Sequence, residues 1–313
     1  MKLLYRLTVK SSLFFFLLIC SGLLSSYKQP FVIGKLNHQL GNTLFQVAAT
    51  CAHAWDNNAV PYFPDFFEKQ NENMPINYEH VFFRFLRYKP KEPISCLWTL
   101  PTANNFSSCP IPYTPNMMIE GTFQSEKYFA HHRETLLALF APHPDDLAYI
   151  EKKYADILSH PLTVGIQMRW FGCAHDVGWH DFLVQYDYDY FEKAMALFPE
   201  DTLFVVSSNN LEYAQHNIPT EGKNVIFLKD EPHYIDLFLL SLCKHNIISN
   251  SSFGWWAAWL NQNPDKIVVA TQLWIDPKWH YMTPVDDVWP ESWIRIDANW
   301  KKPSCDLKNF QKN

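Results

Sequence analysis

Four places in this chain put polar or cationic residues directly behind an apolar run. Arg169 follows "TVGIQM", Ser208-Asn209-Asn210 follow "LFVVS", Lys229-Asp230 follow "VIFL", and Asn250-Ser251-Ser252 follow "NIIS". An arginine can grip two phosphate oxygens at once, and amides and hydroxyls add weaker bonds. The fourth place continues as "SFGWWAAWL", with Phe253, Trp256 and Leu260 at helical spacing. Asn250, Ser251 and Ser252 therefore stand where a helix starts, and all three are good N-cap types. One reading is a capped core helix. The other is an anion site, because a helix start offers unbonded N–H groups and a positive dipole end. The chemistry of such a set is the holding of a diphosphate. The group Trp255, Trp256 and Trp259 reads as core, not as a platform for a sugar.

The elements that must position these residues follow a regular alternation from Leu162 onward. "TVGIQM", "LFVVS", "VIFL", "NIIS" and "KIVVA" read as strands, and "DYFEKAMALF", "NLEYAQHN", "YIDLFLLSLCKH" and "FGWWAAWLNQ" as the helices between them. Strands alternating with helices make parallel βαβ units, and five strands suffice for a Rossmann-like domain. Ligands of open α/β sheets bind beyond the carboxyl ends of the strands, where all four polar places fall.

The first half predicts a second α/β unit: strands at "FVIG", "VPYF" and "MMIEGTF", and helices at "GNTLFQVAATCAHAW" and "SEKYFAHHRETLLALF", the latter opened by Ser125. Pro90 to Pro115 reads as a long excursion. Asn42 and Gln46 lie one helical turn apart and are candidates for the cleft between the units, with helix capping by Gly41-Asn42 as the alternative. The expected organisation is a leader over 1–30, a first α/β domain over 31–160, a donor-binding Rossmann-like domain over 161–285, and a tail over 286–313 that packs back.

Composition narrows the class. A net charge of −6 with no long basic run argues against nucleic acid as a partner. Seven cysteines show no paired-Cys or Cys/His spacing of a zinc site. Cys96 and Cys109 are the best-placed pair if the chain is secreted; free buried thiols are the default. Lys2, Arg6 and Lys10 precede an uncharged stretch from Ser11 to Tyr27, which would span about 26 Å as a helix. A poor cleavage pattern near Ser25-Ser26 favours an uncleaved signal anchor with the N-terminus in the cytoplasm. That implies a Golgi type II protein in a eukaryote, or an enzyme tethered to the cytoplasmic face of the inner membrane in a bacterium.

Five stretches, in order from Gly34 to about Trp274, carry a family resemblance. "LGNTLFQVAA" (Leu40 to Ala49) is similar to LGNQxFQxAA, "GTFQSEKYF" (Gly121 to Phe129) to GYFQSEKYF, and "VGIQMR" (Val164 to Arg169) to the start of VxIHVRRGDY. "SNNLEYA" (Ser208 to Ala214) sits where SDDPEWA occurs, and "DLFLLSLCKHNIISNSSFGWWAAWLN" (Asp236 to Asn261) closely resembles DLxLMSxCKHxIIANSSFSWWAAWLN. These are motifs of the α-1,2-fucosyltransferase family, glycosyltransferase family 11. The resemblance implies a GT-B-like fold of two Rossmann-like domains facing a cleft, GDP-fucose as donor, inversion, no metal, and a galactose-like acceptor in a glycan. It places the donor phosphate on Arg169 and on Ser251 and Ser252; with the positions behind the strands, this puts Ser208, Asn209, Asn210, Asn250 and Phe253 around the donor, and leaves Asn42, Gln46 and Gln124 as candidates for the acceptor side of the cleft. An inverting transfer needs an acceptor for the hydroxyl proton. The loop "CAHDVGWHDF" supplies Asp176 first and His175 second.

The chain departs from the pattern in places. The family's histidine is Gln167, its second Arg-Gly-Asp is Trp170-Phe171-Gly172, its paired aspartates are Asn209-Asn210, and Thr43 replaces a glutamine. Altered acceptor, altered donor and weak activity stay open. Two alternatives stand beside the transferase: a GDP-sugar-binding homologue without turnover, and a metal-dependent glycosyltransferase using the Asp187-Tyr188-Asp189 motif.

Overall fold

The computed structural model describes residues 29–68, 74–85, 90–172 and 181–303. The expected anchor, Ser11 to Tyr27, and the loop residues His175 and Asp176 lie outside them. Among the described residues no helix is long and apolar enough to cross a membrane.

Two parallel sheets organise the chain. The first has β1 (Phe31–Gly34), β2 (Val60–Tyr62), β3 (Leu97–Thr99) and β4 (Met117–Glu120) in the order β2-β1-β4-β3. The second contains β5 (Thr163–Met168), β7 (Leu203–Ser208), β8 (Asn224–Phe227), β9 (His245–Ile248), β10 (Val268–Thr271) and β11 (Ile294–Ile296), in the order β11-β10-β9-β5-β7-β8; β6 (Gln185–Tyr186) pairs separately with β12 (Trp300–Lys301). This second order is doubly wound, with the chain reversing direction across the sheet between β5 and β9. β5 is buried along its whole length, as its unbroken apolar run requires of a strand covered on both faces.

The helices are α1 (Leu40–Asp56), α2 (Asp65–Glu68), α3 (Met74–Asn77), α4 (Arg133–Leu139), α5 (Pro144–Lys153), α6 (Ala155–Ser159), α7 (Tyr188–Met195), α8 (Leu211–Asn217), α9 (His233–Leu242) and α10 (Ser252–Leu260). α5 and α6 carry the chain from the first sheet to the second.

Three expectations are corrected. The second sheet has a sixth strand, β11, which the tail contributes in parallel to β10. The proline-rich excursion holds β3, three residues paired in parallel with β4, too short to show a period. "SEKYFAHHRETLLALF" is helical only over α4. Ser125 accepts from Lys127 N–H and starts a tight turn, and Phe129 breaks the run at φ −145° while its ring stacks on Trp256 at 5.4 Å. The default reading of free thiols holds for Cys51, Cys96, Cys109 and Cys243, of which Cys51 and Cys243 are buried; the conditional Cys96–Cys109 pair is not formed, and Cys109 Sγ faces the Tyr128 hydroxyl at 3.7 Å.

One apolar core runs through both units, and a second covers the other face of the second sheet; the first positions the site. Its centre is α10, whose Trp255, Trp256 and Trp259 are all buried. Phe45 of α1 lies 4.5 Å from Trp255 and 5.1 Å from Trp256, and Phe140 meets Trp256 edge-on at 5.6 Å. Trp255 Nε1 donates to Val288 O at 2.7 Å and Trp259 Nε1 to Glu126 Oε2 at 3.0 Å, so these two large side chains are also held in orientation. Truncating any of them to alanine costs about 3–5 kcal/mol.

The starts of α1 and α10 touch backbone to backbone. A Cβ on Gly41 would lie 2.5 Å from Phe253 N and 2.6 Å from the Ser252 carbonyl carbon. Gly41→Ala must therefore push the helix starts apart. We expect a loss of about 1–3 kcal/mol in urea unfolding; a wild-type midpoint would show that this contact is not made.

Candidate functional site

A cleft of about 470 Å³ opens where the reversal points of the two sheets face each other. The first unit contributes Gln39 to Asn42 behind β1 and Gln124 behind β4. The second contributes Gln167 and Arg169 from β5, Ser207 to Asn209 from β7, and Asn250 to Phe253 behind β9. Glu231, His233 and Asp236 close one wall at the start of α9. His38 (φ 69°), Phe123 (φ 50°) and Asp230 (φ 58°) hold left-handed backbone, and each immediately precedes a lining residue. Strain of this kind persists where surrounding structure enforces it, and it collects at ligand sites.

The cleft has an anion-binding geometry. Ser251 is the N-cap of α10 but makes no side-chain cap, and the first intrahelical bond runs from Trp255 N–H to Ser251 O. That leaves the N–H groups of Ser252, Phe253 and Gly254 without partners in the helix. α1 repeats the arrangement: Gln39 at its N-cap makes no side-chain cap, and the first bond is Thr43 N–H to Gln39 O. Neither helix has an acidic residue in its first turn. Two positive helix ends thus converge on one space.

Arg169 enters the same space. Its N–H donates to Ser249 Oγ at 2.9 Å and its carbonyl accepts from Gln185 Nε2 at 3.0 Å, which fixes the backbone. Among the described residues its guanidinium has no carboxylate partner; it lies 5.9 Å from the Phe171 ring, and burial lowers its pKa. Arginine nevertheless keeps its charge in proteins. Gly254 lets α10 lie against the end of β5, since a Cβ there would come 2.7 Å from Gln167 Oε1.

The carboxylates on the α9 wall differ from each other. Glu231 is buried, yet pairing with Lys153 and the hydroxyls of Tyr154 (2.7 Å) and Tyr149 (3.2 Å) holds its pKa below the usual carboxylate range. Burial pushes Asp236 up to about 6, and the nearby Glu231 charge adds to the rise, against the Ser207 hydroxyl that donates to Oδ2 at 2.5 Å. Asp236 Oδ1 is buried without a partner among the described residues. It is an acceptor awaiting a donor.

The residues singled out in the sequence divide into two groups. Arg169, Ser251, Ser252, Phe253, Asn42 and Gln124 line the cleft, and Gln124 spans the units: Nε2 donates to Asn42 Oδ1 at 2.7 Å and Oε1 accepts from Trp274 Nε1 at 3.2 Å. The cap proposed at Gly41-Asn42 is instead Gln39. Gln46 is corrected from cleft to scaffold. Its amide accepts from Asn37 N–H at 2.9 Å and donates to Gly121 O at 3.1 Å, stitching together the loops behind β1 and β4. Asn210 caps α8 by accepting from Tyr213 N–H at 2.9 Å and does not line the cleft.

Ser208 lines the cleft, with its hydroxyl turned onto Asn210 N–H and C=O. Asn209 lines it too, but its amide is consumed by the Trp170 N–H and C=O. Asn250 donates to Val184 O and Trp274 O, and its Oδ1 is buried and unpartnered at the cleft. Asp176 and His175 fall outside the described residues. The paired aspartates of the metal-dependent alternative are engaged elsewhere: Asp187 pairs with Lys301, Asp189 pairs with Lys193 and accepts from Asn299 N–H, and neither lines the cleft.

The sequence reading missed Asp236, Glu231 and His233, along with an aromatic wall of Phe106, Phe182 and Trp274. An acidic residue in a first helical turn is ordinary, so Asp236 gave no separate signal. Phe106 is hidden in the excursion.

The sequence model described as Glycosyl transferase family 11 matches residues 105–297, more than half of the chain. The chain is 29% identical over 181 residues to the O-antigen biosynthesis glycosyltransferase WbnK of Escherichia coli, covering 54% of this chain and 58% of that protein. It is 27% identical over 186 residues to an alpha-1,2-colitosyltransferase of Escherichia coli (56% and 61%), and 27% identical over 213 residues to galactoside alpha-(1,2)-fucosyltransferase 2 of Oryctolagus cuniculus (61% and 55%). The matches thus span less than two thirds of the length of these relatives. Among solved structures, fucosyltransferase NodZ from Bradyrhizobium matches 74% of this chain and 92% of its own at TM-score 0.48 and 14% identity. A mutant form of Arabidopsis thaliana FUT1 in complex with GDP matches 82% and 73% at TM-score 0.45 and 14% identity.

Asp236 makes stability depend on pH. Its folded pKa of about 6 lies above the ordinary 3.8, so the folded state binds more protons between these values and stability falls as pH rises through that window. Asp236→Asn removes the term. The variant is expected to be more stable than wild type at pH 7, by about 2–3 kcal/mol at most, with the difference vanishing below about pH 4. An equal difference at both pH values in urea unfolding would show that Asp236 is not held in this environment.

Proposed function

The chain belongs to glycosyl transferase family 11, and from that membership and the cleft's geometry we propose that it moves L-fucose from GDP-fucose to the 2-hydroxyl of a galactose-like residue in a glycan, with inversion at the sugar carbon. The observation that carries this reading is Arg169, unpaired among the described residues, beside two uncapped helix starts. As the bond from sugar to diphosphate breaks, negative charge grows on the leaving group. Fixed donors already aimed at that space stabilise it without reorganising. Arg169 supplies a full charge and the helix ends supply unbonded N–H groups, so the reading needs no metal for charge neutralisation.

Asp236 supports a guanine base. Guanine presents a ring N–H and an amino group side by side, a donor edge suited to a carboxylate, whereas adenine presents an acceptor at the corresponding ring nitrogen. The relatives named for fucosyl and colitosyl transfer fit a donor of this kind. On the acceptor side, Phe106 and Phe182 come from different units and their ring centres are 6.0 Å apart. They offer an apolar wall to a sugar's C–H face, with Asn42 and Gln124 as polar neighbours. Asp176, with His175 second, remains the proposed group to take the acceptor proton. The leader over 1–30 is proposed to tether the enzyme to a membrane.

The test is a thermal shift of the chain with GDP, GDP-fucose, ADP and UDP, each with added divalent metal and with EDTA, followed by transfer of labelled fucose to a galactose-terminated oligosaccharide. A ligand at about 100 times its Kd adds ~2.7 kcal/mol, several degrees in Tm. GDP compounds alone are expected to raise Tm, Arg169→Ala to abolish the rise, and the product to carry fucose on the 2-hydroxyl. A shift with UDP that needs metal would overturn the donor, and fucose on another hydroxyl would overturn the linkage.

A further inference from the structure

Far from the cleft, three side chains converge for which the proposed transfer has no use. Asp56 is the last residue of α1, and His131 and His132 form the end of the turn Ala130–His132. His131 Nε2 lies 2.9 Å from Asp56 Oδ2, and His132 Nε2 lies 2.7 Å from Asp56 Oδ1. All three ligand atoms fall within 4.8 Å of one another. We propose that Asp56, His131 and His132 form a zinc site that clamps the C-terminal end of α1 to the segment leading into α4.

Three observations argue for it. First, consecutive residues of a tight three-per-turn helix point about 120° apart, yet both imidazoles turn to one carboxylate, with ring centres 4.4 Å apart. Second, Asp56 is not needed to end α1. Asn57 and Asn58 N–H groups bond to the Ala54 and Trp55 carbonyls, and Asn58 takes the left-handed conformation at φ 52°. A carboxylate at a helix C-terminus opposes the dipole, so it stands there at a disadvantage that a cation removes. Third, two imidazole nitrogens and one carboxylate oxygen suit zinc, with water as a fourth ligand. Bonds of about 2.0–2.1 Å place tetrahedral ligands about 3.3 Å apart, a few tenths of an ångström wider than the distances found. The rings are partly exposed and can open by that amount, and Trp55 packs edge-on to His132 at 5.1 Å and steadies it.

The 17 residues of α1 put this site about 25 Å from the cleft. The metal is therefore a structural clamp, independent of donor binding.

The test uses the full chain, stripped with EDTA, then titrated with ZnCl2 by calorimetry and with CoCl2 by absorption spectroscopy. One zinc per chain is expected. The cobalt form should show the visible bands of a four-coordinate ion without a sulfur charge-transfer band. Asp56→Asn and His131→Ala should each weaken zinc at least about tenfold while leaving the circular dichroism spectrum and the GDP-induced thermal shift unchanged. Undiminished zinc binding in both variants, a sulfur charge-transfer band, or heats no larger than with MgCl2 would overturn the site. The cobalt spectrum of the wild type decides even if a variant fails to fold.

Discussion

Two helices start point to point in this protein, and the arrangement is electrostatically unfavourable by itself. α1 and α10 each end in about half a positive charge. Gly41 brings their backbones into contact with no side chain between, and no acidic residue in either first turn relieves the repulsion. Arg169 adds a full charge to the same space. The apolar core offsets this. Trp255, Trp256 and Trp259 on α10 pack against Phe45 on α1 and against Phe129 and Phe140. Burial of aromatic surface on that scale exceeds the helix-end repulsion, which is of the order of 1–2 kcal/mol. The tryptophans behind the small polar residues are thus the counterweight to the site in front of them. They also join the two sheets through one core, so the cleft is set by packing and not by a loose hinge.

The polar residues around the cleft do two jobs that sequence alone does not separate. An amide carries donors and an acceptor, and suits a ligand or a loop equally well. Gln46, Asn209 and Gln185 are spent on backbone groups of neighbouring segments, and Asn210 on the first turn of α8. Arg169 and the first-turn N–H groups of α10 are left over for a ligand. What distinguishes them is that, among the described residues, they have no internal partner, a property of the fold.

Much of the scaffold was legible nonetheless. Long apolar runs bounded by polar residues marked β5, β7, β9 and β10 and the helices between them, because strands buried on both faces need such runs. The lesson fails for short elements. β3 and β11, with three residues each, take their place from pairing to β4 and β10 and carry no period of their own. Phe129 was read as helical because its neighbours favour helix; tertiary packing against Trp256 overrode that preference. Asp236 opens the motif that runs to Asn261, but its raised pKa depends on burial and on Glu231, neither of which spacing reveals.

The departures from the family pattern after Arg169 acquire a physical meaning in this setting. Gln167 accepts from the Ser249 hydroxyl, and Ser249 in turn accepts from Arg169 N–H, so β5 and β9 are tied at the point where Arg169 leaves the sheet. Trp170 stacks on Tyr213 at 5.9 Å while Asn209 clamps its backbone, Phe171 N–H bonds to Gln185 Oε1, and Gly172 turns the chain at φ 53°. The segment is ordered by aromatic packing and amide bonds in place of an Arg-Gly-Asp. Replacing an arginine and an aspartate together leaves the local net charge unchanged. Arg169, without a carboxylate partner among the described residues, stands beside two uncapped helix starts, and fixed donors of this kind, more than the identity of any one neighbouring residue, are what the proposed leaving diphosphate requires.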